Sequence, residues 1–437
     1  MDIREQLAHL RRTVDGISAR YEELPRRSPE NYATRGLIED LISGEVVATP
    51  HGSHFETEQL FPALHRHGSY EISGLAELPP DALAALSDGV IAGCSPRRWL
   101  FLDTETTGLA GGSGTYAFLI GAGSISEDDG FRVRQFFMRD YHEEASVLHS
   151  LAEYIANFDV LITYNGRSYD QPLLETRYTM CRARHPFGRL EHLDLLYGAR
   201  RLFRLRLENC RLVNLENQIL GFEREGDVPG EMIPWCYFEY LRTRRAHRLA
   251  PVFQHNALDI VSLACLTGVI PGFFSDAFRD PASVRARHGM DLLGLARWLQ
   301  MAGRIAEASQ LLDRAIVMGL PDQHLFAALY ARGVMEKKQG LMHAALATFT
   351  DLSLSPNPFR VRAYEELAMH YEHREGSFAM AIECVRAARR IADSDALRKR
   401  HERLEAKCAG TPARRQTRLP AAPVPPGLLQ RAAGKLN

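Results

Sequence analysis

Two patterns of apolar and polar positions alternate between residues 98 and 275. Short apolar runs bounded by turn residues predict strands, and apolar residues three or four positions apart predict the helices between them. Three strands come first, and helices then alternate with strands, which predicts an α/β domain with a mixed five-stranded sheet and flanking helices. The strands are expected at 99–105, 115–125, 131–138, 159–164 and 190–196.

A helical pattern recurs in the C-terminal third. The segment that begins Gly303-Arg-Ile-Ala-Glu-Ala308 returns in similar form at Gly340 and again at Gly376. The distance in sequence from one of these glycines to the next is close to the ~34 residues of tetratricopeptide repeats. Residues 285–407 are therefore expected to form an all-α domain of TPR-like helical repeats, with a non-repeating helical bundle as the alternative.

The two ends of the chain carry weaker patterns. Apolar residues from Ile3 to Tyr21 follow a helical spacing, so residues 1–97 are predicted to hold an N-terminal helix and a small α+β region. The histidines of that region do not match a zinc spacing and are expected on the surface, namely His51, His54, His65 and His67. Residues 408–437 are rich in proline, alanine and arginine and predict a disordered basic tail.

Composition narrows the class of protein. The 437 residues are 45% hydrophobic and 24% charged, with a net charge of −1, so any contact with nucleic acid must come from local patches. Seven cysteines without a CxxC pair suggest a reduced, cytoplasmic setting. The longest uncharged stretch, residues 260–275, contains Pro271 and is too short to span a bilayer, so no membrane association is expected.

The end of the first predicted strand carries two acidic residues. Asp103 and Glu105 are two positions apart, so they share one face of a strand. Two buried anions on one face are costly unless a cation compensates them, and Mg²⁺ prefers oxygen ligands of this kind. The alternative is a strand that simply runs into a polar turn.

Two later segments add to this chemistry. Asp170 follows the turn Tyr164-Asn165-Gly and is predicted at the start of a helix, where capping is the ordinary role of an aspartate. Asp259 lies four residues after His255 in another predicted helix, so the two share a face. A surface ion pair is the alternative for that pair.

Taken in order, these segments resemble the DEDD, or DnaQ-like, 3′–5′ exonucleases of the ribonuclease H-like superfamily. The segment 164–170 resembles the second exonuclease motif of family-B DNA polymerases, and the match from Phe101 to about Leu266 is most similar to bacterial YprB-like proteins, which join such a domain to helical repeats. The resemblance implies that four carboxylates hold two Mg²⁺ or Mn²⁺ ions. These are Asp103, Glu105, Asp170 and Asp259. It also implies that Thr107, Gly108 and Leu109 contact the 3′-terminal nucleotide of the substrate, and Asn165 is a further residue expected to bind substrate.

One position departs from that family. Its general base is a histidine five residues before the last aspartate or a tyrosine four residues before it, whereas this chain has Gln254 and His255 at those positions. Imidazole is suited to accept a proton at neutral pH. We therefore expect His255 to act as the general base from the tyrosine position.

An arginine-rich segment precedes His255. Basic residues interleaved with aromatic ones suit a single strand, through phosphate pairing and base stacking. The cluster predicted to contact the substrate is Arg242, Arg244, Arg245 and Arg248. The alternative is a pair of arginine-studded amphipathic helices with the aromatic residues in the core.

The sequence thus predicts a metal-dependent 3′–5′ exonuclease that hydrolyses phosphodiester bonds of single-stranded nucleic acid by a two-metal mechanism. Its expected partners are single-stranded 3′ ends and a protein bound by the helical repeats. Two alternatives remain open: a weak or inactive RNase H-like protein that acts as a TPR scaffold, and a structure-specific endonuclease on the same fold.

Overall fold

A computed structural model describes residues 36–108 and 114–410. The predicted N-terminal helix, Leu109 and residues 411–437 of the predicted tail lie outside the described residues. The described chain divides into two compact units. The first unit comprises the described residues up to Ala199 together with Asn209–Gly272, and the second comprises Arg200–Glu208 and the residues from Phe273 onward. The domain boundaries expected from the sequence remain predictions.

A mixed sheet forms the centre of the first unit. Within the described residues it has seven strands, in the order β1-β2-β7-β6-β5-β8-β9, and β3 and β4 pair separately. The interior strand β5 pairs antiparallel with β6 and parallel with β8. The strands are Glu45–Thr49 (β1), Gly52–Phe61 (β2), Arg66–His67 (β3), Tyr70–Glu71 (β4), Trp99–Thr106 (β5), Ala117–Ile125 (β6), Phe131–Phe137 (β7), Val160–Thr163 (β8) and Glu191–Asp194 (β9).

The five predicted strands are present, but the predicted number of strands in the sheet is wrong. The hairpin of β1 and β2 adds two strands, because β2 pairs antiparallel with β7 in a register that places Phe55 opposite Phe137. Phe55 and Phe61 are buried on this added strand. The sequence did not reveal this pairing because residues far apart in the chain make it, and local patterning does not encode register.

Two of the four histidines expected on the surface are buried, which corrects that expectation. His54 is 0% exposed and its ring bonds to Ser146 and Glu56. His67 is 1% exposed and bonds to Ser262. Each ring has at least one hydrogen-bond partner, which lowers the cost of burying a polar side chain.

Helices cover the sheet of the first unit. Helix α2 follows the predicted pattern, because Val147, Leu148, Leu151 and Ile155 are buried. Helix α7 is long and apolar enough to cross a membrane by length and composition, but 67% of its most apolar window is buried, as in a core helix of a soluble protein. The helices are Ile38–Leu41 (α1), Glu144–Ile155 (α2), Asp170–Met180 (α3), Leu195–Phe203 (α4), Leu212–Leu215 (α5), Ile233–Thr243 (α6) and Ala250–Arg279 (α7), and both α4 and α7 run on into the second unit.

The rest of the second unit is helical. Three pairs of helices follow one another, and Gly303, Gly340 and Gly376 lie between the two helices of each pair with positive φ angles of 77°, 80° and 64°. Glycine adopts that conformation without the steric cost that a side chain would add. The helices are Gly289–Met301 (α8), Ile305–Met318 (α9), Asp322–Lys338 (α10), Met342–Leu354 (α11), Arg360–His370 (α12), Phe378–Ile391 (α13) and Asp395–Ala409 (α14).

Candidate metal centre

Strand β5 carries the first two carboxylates of the site. Its apolar start, Trp99–Leu102, is buried in the core, and the strand then continues into Asp103 and Glu105. Side chains two positions apart on a strand share a face, and Glu105 is only 9% exposed. The sheet therefore places two carboxylates side by side at one end of the interior strand β5.

Asn256 holds the carboxylate of Asp103. Its Nδ2 donates to Oδ2 of Asp103 at 2.9 Å, and its Oδ1 accepts from Nε2 of Gln135 at 2.9 Å. Gly121 faces the same amide, because a Cβ built on Gly121 would lie 2.3 Å from Oδ1 of Asn256. A chain of buried hydrogen bonds therefore fixes the orientation of Asp103.

Asp170 begins helix α3 beside the same strand. It is 8% exposed, and its Oδ1 accepts from Oγ1 of Thr104 at 2.5 Å. The turn before it contains Asn165 in a left-handed conformation, with φ of 69°. Asp194, at the end of β9, accepts from the backbone N–H groups of Asn165 and Arg167 and so fixes the shape of this turn.

Helix α7 supplies His255 and Asp259, which lie one helical turn apart. Nε2 of His255 is 3.7 Å from Oδ2 of Asp259 and 3.8 Å from Oε1 of Glu105. Its other nitrogen, Nδ1, lies 2.8 Å from Oδ1 of Asp227. Glu105, His255 and Asp259 each offer one potential ligand atom, and these atoms all lie within 4.8 Å of one another.

The cluster is electrostatically strained. Burial raises the pKa of Asp103 well above its usual range, and the carboxylates of Asp259 and Asp170 raise it further. Burial likewise raises the pKa of Glu105, and the charge of Asp103 adds to the effect. Burial also raises the pKa of Asp170, to about 6. A divalent cation would relieve this repulsion.

Arg224 forms an ion pair with Asp259. Its side chain is 4% exposed and donates to Asp259, to the fully buried Glu216 and, at 3.0 Å, to Asp227. Burial alone would lower the pKa of Arg224, but bonding to Glu216 and the charge of Asp259 outweigh it and raise the pKa. Arg224 therefore remains a cation that fixes one oxygen of Asp259.

The other residues predicted to contact the substrate lie in two parts of the structure. Thr107 and Gly108 directly follow β5, and Oγ1 of Thr107 accepts from the backbone N–H of Tyr116 at 2.9 Å. The four arginines predicted to contact substrate, Arg242, Arg244, Arg245 and Arg248, are exposed at or just after the end of α6. Two of them have partners within the protein: Arg244 pairs with Asp140, and Arg248 pairs with Glu239. Contact of these residues with substrate remains a prediction.

Local sequence patterns indicated no role for several residues that support the carboxylates or His255. They are Thr104, Glu216, Arg224, Asp227 and Asn256. The last adjoins His255 in the chain, which was the available signal, because the next residue of a helix points ~100° away and can face a second element. Nothing in the local pattern singles out Arg224, because Glu216 and Asp259 lie 8 and 35 positions away in the chain.

Comparison with known proteins agrees with this geometry. The family described as the RNase_H superfamily matches residues 100–270, a range that contains Asp103, Glu105, Asp170, His255 and Asp259. A protein of Bacillus subtilis (strain 168), named "Uncharacterized protein YprB", is 32% identical over 332 residues, which cover 74% of this chain and 77% of that protein. The chain therefore belongs to the ribonuclease H superfamily, within the family that includes the YprB protein.

Proposed function

We propose that this protein is a metal-dependent nuclease that removes nucleotides from the 3′ ends of single-stranded nucleic acid. The observation that carries the proposal is the buried cluster of Asp103, Glu105, Asp170 and Asp259, brought together by β5, α3 and α7. Membership of the ribonuclease H superfamily supports hydrolysis of nucleic acid as the reaction class.

The donor set suits divalent ions that prefer oxygen ligands. Carboxylate oxygens are the ligands of Mg²⁺ and Mn²⁺, and the mutual repulsion of Asp103, Glu105 and Asp170 supplies a reason to bind a cation. In the proposal the four carboxylates hold two such ions. When bound, ions of this kind supply an activated water and stabilise charge on the attacking and leaving oxygens.

The surrounding residues orient the carboxylates before any ion binds. Asn256, Thr104 and Arg224 each donate to one oxygen of Asp103, Asp170 and Asp259, respectively. Fixed donors of this type leave less reorganisation for the reaction itself. The expected cost of losing Asn256 or Thr104 is therefore a drop in ion affinity and rate rather than a loss of fold.

The substrate mode can be tested with matched nucleic acids. Full-length protein is incubated with linear single-stranded DNA or RNA labelled at the 5′ end, with linear strands blocked at the 3′ end, and with circular strands, each in Mg²⁺ or Mn²⁺. The proposal expects progressive shortening of the unblocked linear strands alone. Cleavage of circles would indicate an endonuclease, and intact strands in every reaction would favour a scaffold without catalytic activity. Asp103→Asn is the control for contaminating nucleases.

For the second unit, we propose that the three helix pairs act as tetratricopeptide-type repeats and bind a protein partner. The regular glycine turns at 303, 340 and 376 support this assignment. A cytoplasmic location also belongs to the proposal, supported by cysteines that are all free thiols in the described structure.

A further inference from the structure

His255 is oriented by a carboxylate outside the proposed metal set. Its Nδ1 lies 2.8 Å and 2.9 Å from the two oxygens of Asp227, and Asp227 in turn accepts from Arg224 at 3.0 Å. A carboxylate at this distance accepts from Nδ1–H, so Nδ1 carries a proton. A metal ion binds the neutral ring through its other nitrogen, Nε2, which faces Glu105 and Asp259.

This arrangement is characteristic of histidines that bind metals. A metal-bound histidine commonly donates its other ring N–H to a carboxylate, which fixes the tautomer and the ring orientation. Here Asp227 occupies that outer position, and the side chain of His255 is only 12% exposed. Asp227 therefore fixes the orientation of the His255 ring, and little of that side chain is exposed to solvent.

The surroundings of Nε2 of His255 are also suitable for binding a metal ion. The ligand atoms of Glu105, His255 and Asp259 lie within 4.8 Å of one another. Ligands bound at about 2.0–2.2 Å to one ion are separated by up to about 4.4 Å, so small side-chain adjustments would bring all three atoms to a single ion. A ring nitrogen that binds an ion has no lone pair left to accept a proton, so a ligand role and the general-base role expected from the sequence exclude each other.

We propose that His255 is a nitrogen ligand of one of the ions, and that it makes this position select Mn²⁺ over Mg²⁺. The inference rests on the proposed function only in that the cluster binds divalent ions. Imidazole favours transition-metal ions, whereas Mg²⁺ prefers oxygen ligands and retains most of its water. A mixed site of one imidazole and carboxylates therefore shifts selectivity toward the transition metal.

Electron paramagnetic resonance of the full-length protein loaded with Mn²⁺ tests the ligand directly. Electron spin echo modulation should show coupling to a nitrogen nucleus, and growth on ¹⁵N-histidine should replace the ¹⁴N pattern. His255→Gln should abolish the coupling, whereas His142→Gln, at a side chain 79% exposed, should retain it. Absence of nitrogen coupling in the wild-type protein would overturn the inference, even if the variant failed to fold.

Calorimetry tests the selectivity. We expect His255→Gln to weaken Mn²⁺ binding by about tenfold or more while Mg²⁺ affinity changes little, so that the ratio of the two affinities falls. An unchanged ratio would overturn the inference and leave the proposed nuclease intact. Failure of the wild-type protein to bind either ion would instead remove the metal premise of the proposed function.

Discussion

Arg224 links Glu216 to Asp259, so that a buried cation of the chain holds one member of the proposed metal set. The guanidinium donates to both carboxylates, and the Glu216 side chain is 0% exposed. Glu216 begins a π-helical turn, 216–220, which ends at Gly221 with a left-handed φ of 67°. The position of Asp259 therefore depends on a loop that contributes no ligand of its own.

This dependence predicts a large stability effect. Arg224→Met leaves Glu216 buried and unpaired, which typically costs about 3–5 kcal/mol of unfolding free energy. The double variant Arg224→Met with Glu216→Gln should recover part of that loss, because the buried charge is then removed. Urea denaturation of the two proteins measures the difference. A single variant within about 1 kcal/mol of wild type would show that the pair is not structurally important.

Removal of one carboxylate of the cluster should separate activity from stability. Asp103→Asn is expected to abolish nuclease activity, because it deletes a proposed ligand shared by the cluster. Its melting temperature without ions should rise, since a repelling buried charge is gone. Added Mn²⁺ should stabilise the wild-type protein more than the variant, because only a ligand that binds the folded state raises stability. Full activity in Asp103→Asn would contradict the assignment of the site.

A substitution at Gly121 should disturb Asp103 indirectly, through Asn256. A Cβ at this position would lie 2.3 Å from Oδ1 of Asn256, so Gly121→Ala must displace the amide that holds Asp103. Loss of such a supporting contact typically costs about 10–100-fold in ion affinity or activity. Gly188→Ala is the matched control, because nothing lies within 4 Å of its Cβ. Equal activities of the two variants would show that Asn256 does not position Asp103.

His67 predicts a pH dependence of stability. Burial is the main cause that lowers its pKa from 6.5 to about 4, and the nearby charges of His65 and Arg224 contribute to the same shift. As the pH falls below 6.5, His67 becomes protonated in the unfolded chain but stays neutral in the folded protein. The free energy of unfolding therefore decreases between pH 6.5 and pH 4. The loss attributable to this group is roughly 3 kcal/mol.

The variant His67→Phe isolates that effect. It keeps an aromatic ring beside Phe222, whose ring centroid is 3.8 Å from that of His67, but it cannot titrate. Unfolding free energies measured in urea from pH 7 to pH 4 should decline less steeply than those of wild type. The exposed His51, replaced in the same way, should leave the wild-type slope unchanged. Parallel slopes for wild type and His67→Phe would contradict the prediction.

A fragment that ends at Arg279 tests the division into units. Arg200–Glu208 belongs to the second unit, where Arg206 pairs with Asp291 and a Cβ on Gly294 would meet the backbone of Arg201 and Leu202. We expect the fragment to fold but to melt below the full chain, because these residues lose their partners. A non-cooperative thermal transition would show that the first unit does not fold independently.

Much of the first unit follows from local sequence. The strands from Trp99 to Asp194 follow from short apolar runs bounded by turn residues, and the helices around Val147 and His255 follow from apolar residues three or four positions apart. Both signals depend only on neighbours in the chain. The positions of four acidic residues at strand ends and helix faces follow from the same signals. The recurring glycines at 303, 340 and 376 similarly predicted the turns between the paired helices of the second unit.

Tertiary structure decided the rest. The hairpin of β1 and β2 joined the sheet through pairing with β7, and His54 and His67 became buried once that sheet and α7 supplied polar partners. The supports of the site, Arg224 for Asp259 and Asp227 for His255, join residues 28 or more positions apart. Burial, hydrogen-bond partners and charge neighbours are properties of residues that meet only in the folded chain, so a local pattern can place a carboxylate on a face but cannot say what holds it there.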